Sequence, residues 1–220
     1  KARKQVQSTA VFDEYSAKQL LRAYGIPTVR EALAHSLEEA LEAAVHIGYP
    51  VVLKVCDPAI QHKTEQGLVK LDIEDNQALM KAFRSLRRKV PRAPILVAQM
   101  LTGEKEFMAG VNSYPGFPPC VLFGLGGVFT EALKDFSIRL APLSRHDARD
   151  MMEAITARAL LGAYRGMPAV DVDAMADLLI ALGTLALHFP EIAEIDLNPI
   201  IVVDGAPKVA DALIVKRASE

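Results

Sequence analysis

Only two cysteines occur among the 220 residues. Cys56 and Cys120 cannot build a disulfide framework or a four-thiolate zinc site, and both stand in apolar runs that read as core. A reducing cytoplasm is the expected setting. Charge of one sign is equally scarce, with 25 Lys and Arg against 27 Asp and Glu, a net charge of −2. A broad nucleic-acid face needs an excess of cations, so no nucleic-acid partner is expected. No run approaches the ~18 uninterrupted apolar residues of a membrane-spanning helix, so no membrane partner is expected either. The opening residues do not read as a secretory leader. No Walker A loop, zinc-ligand set, Ser-His-Asp signature or pyridoxal-lysine motif stands out.

What is present is the balance of a globular protein, 51% apolar and 24% charged. The length suggests one to two domains at ~150 residues each. The chain starts at Lys1, which reads as an excised domain or a processed product of a larger polypeptide. Residues 1–12 open polar and basic and read as a linker.

Apolar spacing then predicts the elements. Ala17, Leu20, Leu21 and Tyr24 recur at helical intervals, giving a helix over 13–24 closed by Gly25 and Pro27. A short strand over 28–34 precedes a helix opened by the capping box Ser36–Glu39. A β-branched strand over 51–55, a polar loop over 57–67, a strand over 68–73 and a helix over 76–90 follow. From residue 95 the chain turns strand-rich, with strands over 95–100, 107–111, 120–123 and 137–141. Two helical stripes run through Ala148–Ile155 and Met175–Leu185. A final hairpin is expected from strands over 195–203 and 208–215. The expected class is therefore α/β (α+β) in two lobes, 13–94 and 95–217, and two lobes suggest a cleft.

Four features bear on chemistry. Lys54 interrupts an apolar strand, where an ammonium needs a partner. It is either a fixed cation that meets a phosphate or a strand-edge lysine reaching solvent. The loop His62-Lys63-Thr64-Glu65-Gln66-Gly67 holds cations, a hydroxyl and a glycine. It suits a phosphate cradle, with His62 able to accept a phosphoryl group, or it is a solvated turn. Gly124-Leu125-Gly126-Gly127 leaves an apolar strand but is no dinucleotide fingerprint, because the third glycine would fall on Phe129. Downstream, Arg139 lies between Ile138 and Leu140, again a strand cation in apolar surroundings, suited to a phosphoryl oxygen. Lastly, Glu194, Asp196 and Asn198 share one strand face by period two, and the returning strand brings Asp211 near. These hard oxygen ligands suit Mg2+, or form a solvent-facing acidic edge.

Taken in order, the segments resemble the nucleotide-binding ATP-grasp domain of ADP-forming acyl-CoA synthetases of the acetate–CoA ligase type, relatives of the succinyl-CoA synthetase β chain. The resemblance rests on Tyr15-Ser16-Ala17-Lys18-Gln19-Leu20-Leu21 with Tyr24-Gly25-Ile26-Pro27, Gly48 to Lys54, and His62-Lys63-Thr64. It continues through Phe123 to Val128, Leu133-Lys134-Asp135 with Arg139 to Leu143, and Glu194 to Pro199. It implies two lobes with ATP or ADP bound in the cleft between them. Lys54 would hold the nucleotide phosphates, with Lys63, Thr64 and Gly67 on the same loop. His62 would match the histidine associated with phosphoryl relay. Gln99 and Met100 fall at the adenine hinge, Glu106 at the ribose hydroxyls, and Arg139 would face the γ-phosphate. Asp196, Asn198 and Asp211 would match the Mg2+ positions.

The implied reaction converts acyl-CoA, ADP and phosphate to acid, CoA and ATP. It is an acid–CoA ligase activity, inactive without a CoA-binding part supplied in cis or as an α subunit of an oligomeric enzyme. The sequence departs from the family pattern at Glu65-Gln66-Gly67-Leu68-Val69, where a second glycine is usual. It departs again at Gln99, where the hinge usually carries a glutamate, and at Phe117-Pro118-Pro119. Losing one glycine removes backbone freedom near the phosphates. That motivates the alternative, a nucleotide-binding regulatory module such as that of a protein acetyltransferase fusion. A redox Rossmann domain is disfavoured by the missing fingerprint.

Overall fold

The computed structural model describes residue 6 and residues 11–60, 63–103, 105–127 and 134–217. His62 and residues 128–133, with Val128 and Leu133 of the quoted segments, lie outside this set. The helices are α1 (Glu14–Ala23), α2 (Leu37–Ile47), α3 (Asn76–Lys89), α4 (Arg145–Ala154) and α5 (Val172–His188), with a 3-10 turn at Thr156–Leu161. The strands are β1 (Glu31–Ala34), β2 (Val51–Val55), β3 (Val69–Ile73), β4 (Ile95–Gln99), β5 (Lys105–Asn112), β6 (Cys120–Leu125), β7 (Phe136–Leu140), β8 (Ile192–Val203), β9 (Ala206–Val209) and β10 (Leu213–Lys216). Two compact units result. One comprises residues 17–28 and the chain from Thr102 onward; the other comprises Asp13–Ser16 and Val29–Leu101.

The smaller unit is a four-stranded antiparallel sheet ordered β1-β4-β2-β3. Contacts place the boundary after Leu101 rather than at 94, because β4 pairs on one side with β1 and on the other with β2. Helices α2 and α3 cover one face. Val51, Leu53, Val55, Ile95 and Val97 alternate toward them and pack against Ala40, Ala44, Leu79, Phe83 and Leu86. Ser36 caps α2 by accepting from Glu39 N at 3.1 Å, and Asp75 caps α3 by accepting from Ala78 N at 2.7 Å.

The larger unit holds a six-stranded antiparallel sheet, with path β10-β8-β5-β6-β7 and β9 paired to β8. Helices α4 and α5 cover one face. Phe107, Ala109, Val111, Val121, Phe123, Ile195 and Leu197 point into the core beneath them, and Phe107 stacks on Phe123 at 5.5 Å between centroids. Val6 and Phe12 are buried in this core, so the opening stretch is more than a linker at those two positions.

Three expectations need correction. The final hairpin is broken: β9 ends at Val209 and β10 starts at Leu213, both paired to β8. Between them Ala210 N donates to Pro199 O, and Asp211 turns its carboxylate to Ala212 N. The 3-10 turn at Thr156–Leu161 had no periodic signal. Asp135 caps it by accepting from Thr156 N and Ala157 N, each at 2.7 Å. The strand over 28–34 shrinks to Glu31–Ala34, because Thr28 bridges to Val209 and Pro27 O accepts from Val209 N, which keeps Pro27 and Thr28 with the larger unit. No helix among the described residues is long and apolar enough to cross a membrane.

The two thiols differ. Cys56 is buried, and burial pushes its pKa up to about 12, whereas Cys120 is half-buried. Thiolate is the reactive form. With a disulfide reagent at pH 8, the native chain should release one equivalent quickly and the second only on unfolding. Cys120→Ser should abolish the fast phase; its persistence in that variant would contradict the assignment.

Candidate functional site

In the smaller unit the site begins with Lys54. Its strand β2 pairs with β3 on one side and β4 on the other, so Lys54 is not a strand-edge lysine. It alternates away from the helix-covered core and is 9% exposed. Its Nζ donates to Glu14 Oε1 at 2.7 Å. Lys63 Nζ reaches the other oxygen of the same carboxylate at 3.3 Å. Glu14 is thus a buried anion shared by two lysines from β2 and the following loop.

Sequence reasoning missed Glu14. The signal was its place three residues before Ala17 and seven before Leu21, on the apolar stripe of α1. Asp13 fixes that first turn, accepting from Ser16 N and Ser16 Oγ at 2.7 Å each.

The loop after Lys63 closes as a turn. Gly67 N donates to Thr64 O at 3.0 Å, Leu68 N to Lys63 O at 2.8 Å, and Gly67 has φ +63°. Leu68 is 3% exposed and packs in the core, and its backbone is outside the left-handed region that demands glycine. At the end of β4, Gln99 N donates to Arg30 O and Met100 N to Pro50 O. Gln99 and Met100 keep half-exposed side chains.

In the larger unit the sheet face opposite the helices carries the acids. Along β5, Glu106, Met108 and Gly110 alternate with the buried Phe107, Ala109 and Val111. Asp196 pairs with Gly110 on one side and Leu213 on the other, which puts it on this open face. A bulge in β8 between Leu197 and Ile200 re-aims the chain at Asn198, whose Oδ1 accepts from Gly127 N at 3.3 Å. Gly126 N donates to Glu106 O at 2.9 Å. A Cβ on Gly127 would stand 2.4 Å from Glu106 Oε2, so this glycine lets backbone and carboxylate meet. Glu106, Gly127, Asn198 and Asp196 are therefore brought to one face.

Burial pushes the Asp196 carboxyl up to about 6, with the charges of Glu194 and Asp211 adding to the effect. Among the described residues no three His, Cys, Asp or Glu side chains form a complete metal cage. Two carboxylates and an amide oxygen nevertheless fit Mg2+, which typically takes one or two carboxylates and completes its shell with water and phosphate oxygens.

The structure does not bring Arg139 to this face. Arg139 pairs with Val121, Val121 with Val111, and Val111 with Ile195, all three on the helix side. Its neighbour Ser137 donates to Met151 O of α4. Its guanidinium donates to Ile138 O and lies near Asp147, whose carboxyl is held low chiefly by Ser144. Its apolar surroundings are also corrected: Ile138 and Leu140 are 47% and 55% exposed on the outermost strand of the sheet path.

The ATP-grasp domain profile matches residues 3–215. The chain belongs to the ATP-grasp family. It is similar to the β subunit of acetate–CoA ligase (ADP-forming) I of Pyrococcus furiosus, with 39% identity over 92% of this chain and 90% of that one. The acetate–CoA ligase (ADP-forming) I of Archaeoglobus fulgidus is 40% identical over 87% of this chain but only 29% of its own length. Among solved structures, the dinucleotide-forming acetyl-coenzyme A synthetase 1 of Ca. Korarchaeum cryptofilum, in complex with coenzyme A and Ca-AMPCP, superposes with a TM-score of 0.90. It has 40% identity over 98% of this chain and 97% of that chain. A second structure of that enzyme, with Mg-AMPPCP, gives 0.87 and 37% identity over 99% of this chain and all of that one. The chain is the ATP-grasp, nucleotide-binding module of the ADP-forming acyl-CoA synthetase type, as its sequence segments implied.

The crowded acids yield a prediction. In metal-free buffer at pH 8, Asp196→Asn should melt above the wild type, because it removes a buried charge repelled by two neighbours. A gain of about 1 kcal/mol corresponds to roughly 2–4 °C at this size. Calorimetry reads it, and a lower melting temperature would refute the repulsion.

Proposed function

We propose that this chain moves a phosphoryl group between nucleotide and a histidine relay, within the reaction acyl-CoA + ADP + phosphate = acid + CoA + ATP. The observation that carries the reading is the pair of lysines, Lys54 and Lys63, preset on one buried carboxylate. Ammonium groups aimed by a shared carboxylate suit phosphate oxygens, since part of their ordering precedes the ligand.

In this reading Lys54 and Lys63 bind phosphate oxygens, with Thr64 and Gly67 shaping the turn beside them. Gln99 and Met100 offer side chains to the adenine, because their backbone N–H groups are already spent within the sheet. Glu106 accepts from the ribose hydroxyls. Asp196, Asn198 and Asp211 would hold Mg2+, which when bound offsets charge on the phosphate oxygens. His62 is the proposed phosphoryl acceptor on this chain. The CoA-binding part is supplied as a partner subunit or as further domains. The β-subunit name of one relative and the greater length of the other support this. Arg139 keeps its γ-phosphate role only as a proposal, against its register on the helix side.

The regulatory alternative rested on the altered glycine loop. Leu68 adopts ordinary backbone geometry and fills the core, while Gly67 retains the positive φ. The departure therefore costs the loop no conformation that it uses.

The test is incubation with γ-labelled ATP and Mg2+, with and without the CoA-binding region. Acid-labile label should appear on the wild type and be lost in His62→Ala, while both bind ADP. Nucleotide binding with no labelling under any condition would overturn the catalytic reading.

A further inference from the structure

Among the described residues, Glu14 is the buried anion beside the cations assigned to phosphate, and a carboxylate cannot donate to a phosphate oxygen. Its side chain is 2% exposed, against 11% for Lys54 and 19% for Lys63. Resting on the phosphate reading of those lysines, we propose that Glu14 is a positioning residue, the resident counter-ion that holds the buried ammonium of Lys54 in its charged form and aims both lysines before nucleotide binds.

The need for it follows from desolvation. Burial favours the neutral amine, and a nearby carboxylate reverses that preference. Asp13, just before α1, and Cys56, just beyond β2, also lie within electrostatic reach of Glu14 and Lys63. Asp13 is engaged by Ser16 N and Ser16 Oγ in the helix cap. Cys56, raised to about 12, stays a neutral thiol at physiological pH. Neither replaces Glu14. Glu14 also sits in the first turn of α1, where the helix dipole favours its charged form.

Each ammonium has three donors, so Lys54 and Lys63 can keep Glu14 and still donate to phosphate. In the wild type, nucleotide therefore meets a Lys54 that is already protonated, and binding takes up no proton there. Without the carboxylate, the empty site relaxes toward neutral amine, and binding must bring a proton with it.

The experiment measures ADP binding to the full chain by calorimetry between pH 7 and 9.5, in buffers of differing ionisation enthalpy. Wild type and Glu14→Asp should show little proton uptake on these lysines and a shallow pH dependence. Glu14→Gln should take up close to one proton at the alkaline end, with affinity falling by about tenfold per pH unit there. A folded Glu14→Gln that matches the wild type in proton count and pH profile would overturn the proposal. If Glu14→Gln does not fold, the double variant Glu14→Gln/Lys54→Met should fold again, because no unpaired buried charge remains. Failure of the double variant as well would equally overturn the counter-ion role. Absence of ADP binding by the wild type is a different failure, that of the phosphate reading itself, and the proposal would fall with it.

Discussion

An ammonium on an interior strand folds only if a counter-charge reaches it, and in this chain Glu14 supplies that charge to Lys54. Two ladders fix the backbone of β2, and Lys54 stands on it with its side chain only 11% exposed. The first turn of α1 must therefore come to the strand. Asp13 and Ser16 lock that turn, and Lys63 then closes on the second carboxylate oxygen. Removing one member of such a buried pair typically costs about 3–5 kcal/mol, far more than the pair contributes over an apolar substitute. The arrangement is thus poorly explained by stability. It is well explained by a need for two oriented cations.

The larger unit solves the opposite electrostatic problem. Its open face gathers Glu106, Asp196 and Asn198, and Asp196 is raised by burial and crowded by the charges of Glu194 and Asp211. Such crowding is a common mark of a functional site, because stability alone would not select it. The net charge of −2 conceals this separation. Cations are concentrated at one site and acids at another, and the sum reports neither. A near-neutral total argues against a long basic face, yet it is silent on a compact polyanion such as a nucleotide.

Much of this was legible in the sequence. Apolar periodicity located α1 through α5 to within a few residues, and the β-branched run around Lys54 marked β2. What escaped was set by distant partners. The break between β9 and β10 depends on Ala210 meeting Pro199, and the 3-10 turn depends on Asp135, some twenty residues upstream. Arg139 shows the limit most clearly. Between Ile138 and Leu140 it reads as a cation in an apolar strand, but β7 ends the sheet path and its apolar residues face outward. Hydropathy along one strand cannot tell an interior strand from an edge strand. Glu14 was hidden for the converse reason: a lone acid near a helix start reads as an ordinary first-turn residue.

The departures from the family pattern illustrate how position decides consequence. A glycine matters where φ is positive or where a Cβ would collide, and among the described residues of this loop only Gly67 stands in the left-handed region. Leu68 falls one residue later, where the chain re-enters the sheet through Val55 N, which donates to Leu68 O, and its side chain joins the core. The exchange adds buried apolar area and subtracts no conformation that the turn uses. At Gln99 the backbone N–H is committed to Arg30 O, so the change from an acid to an amide alters only what the side chain presents. An amide both donates and accepts where a carboxylate only accepts, so the change falls on the hydrogen bonding that this half-exposed side chain offers. The lysines, their carboxylate and the acidic face are untouched by either change.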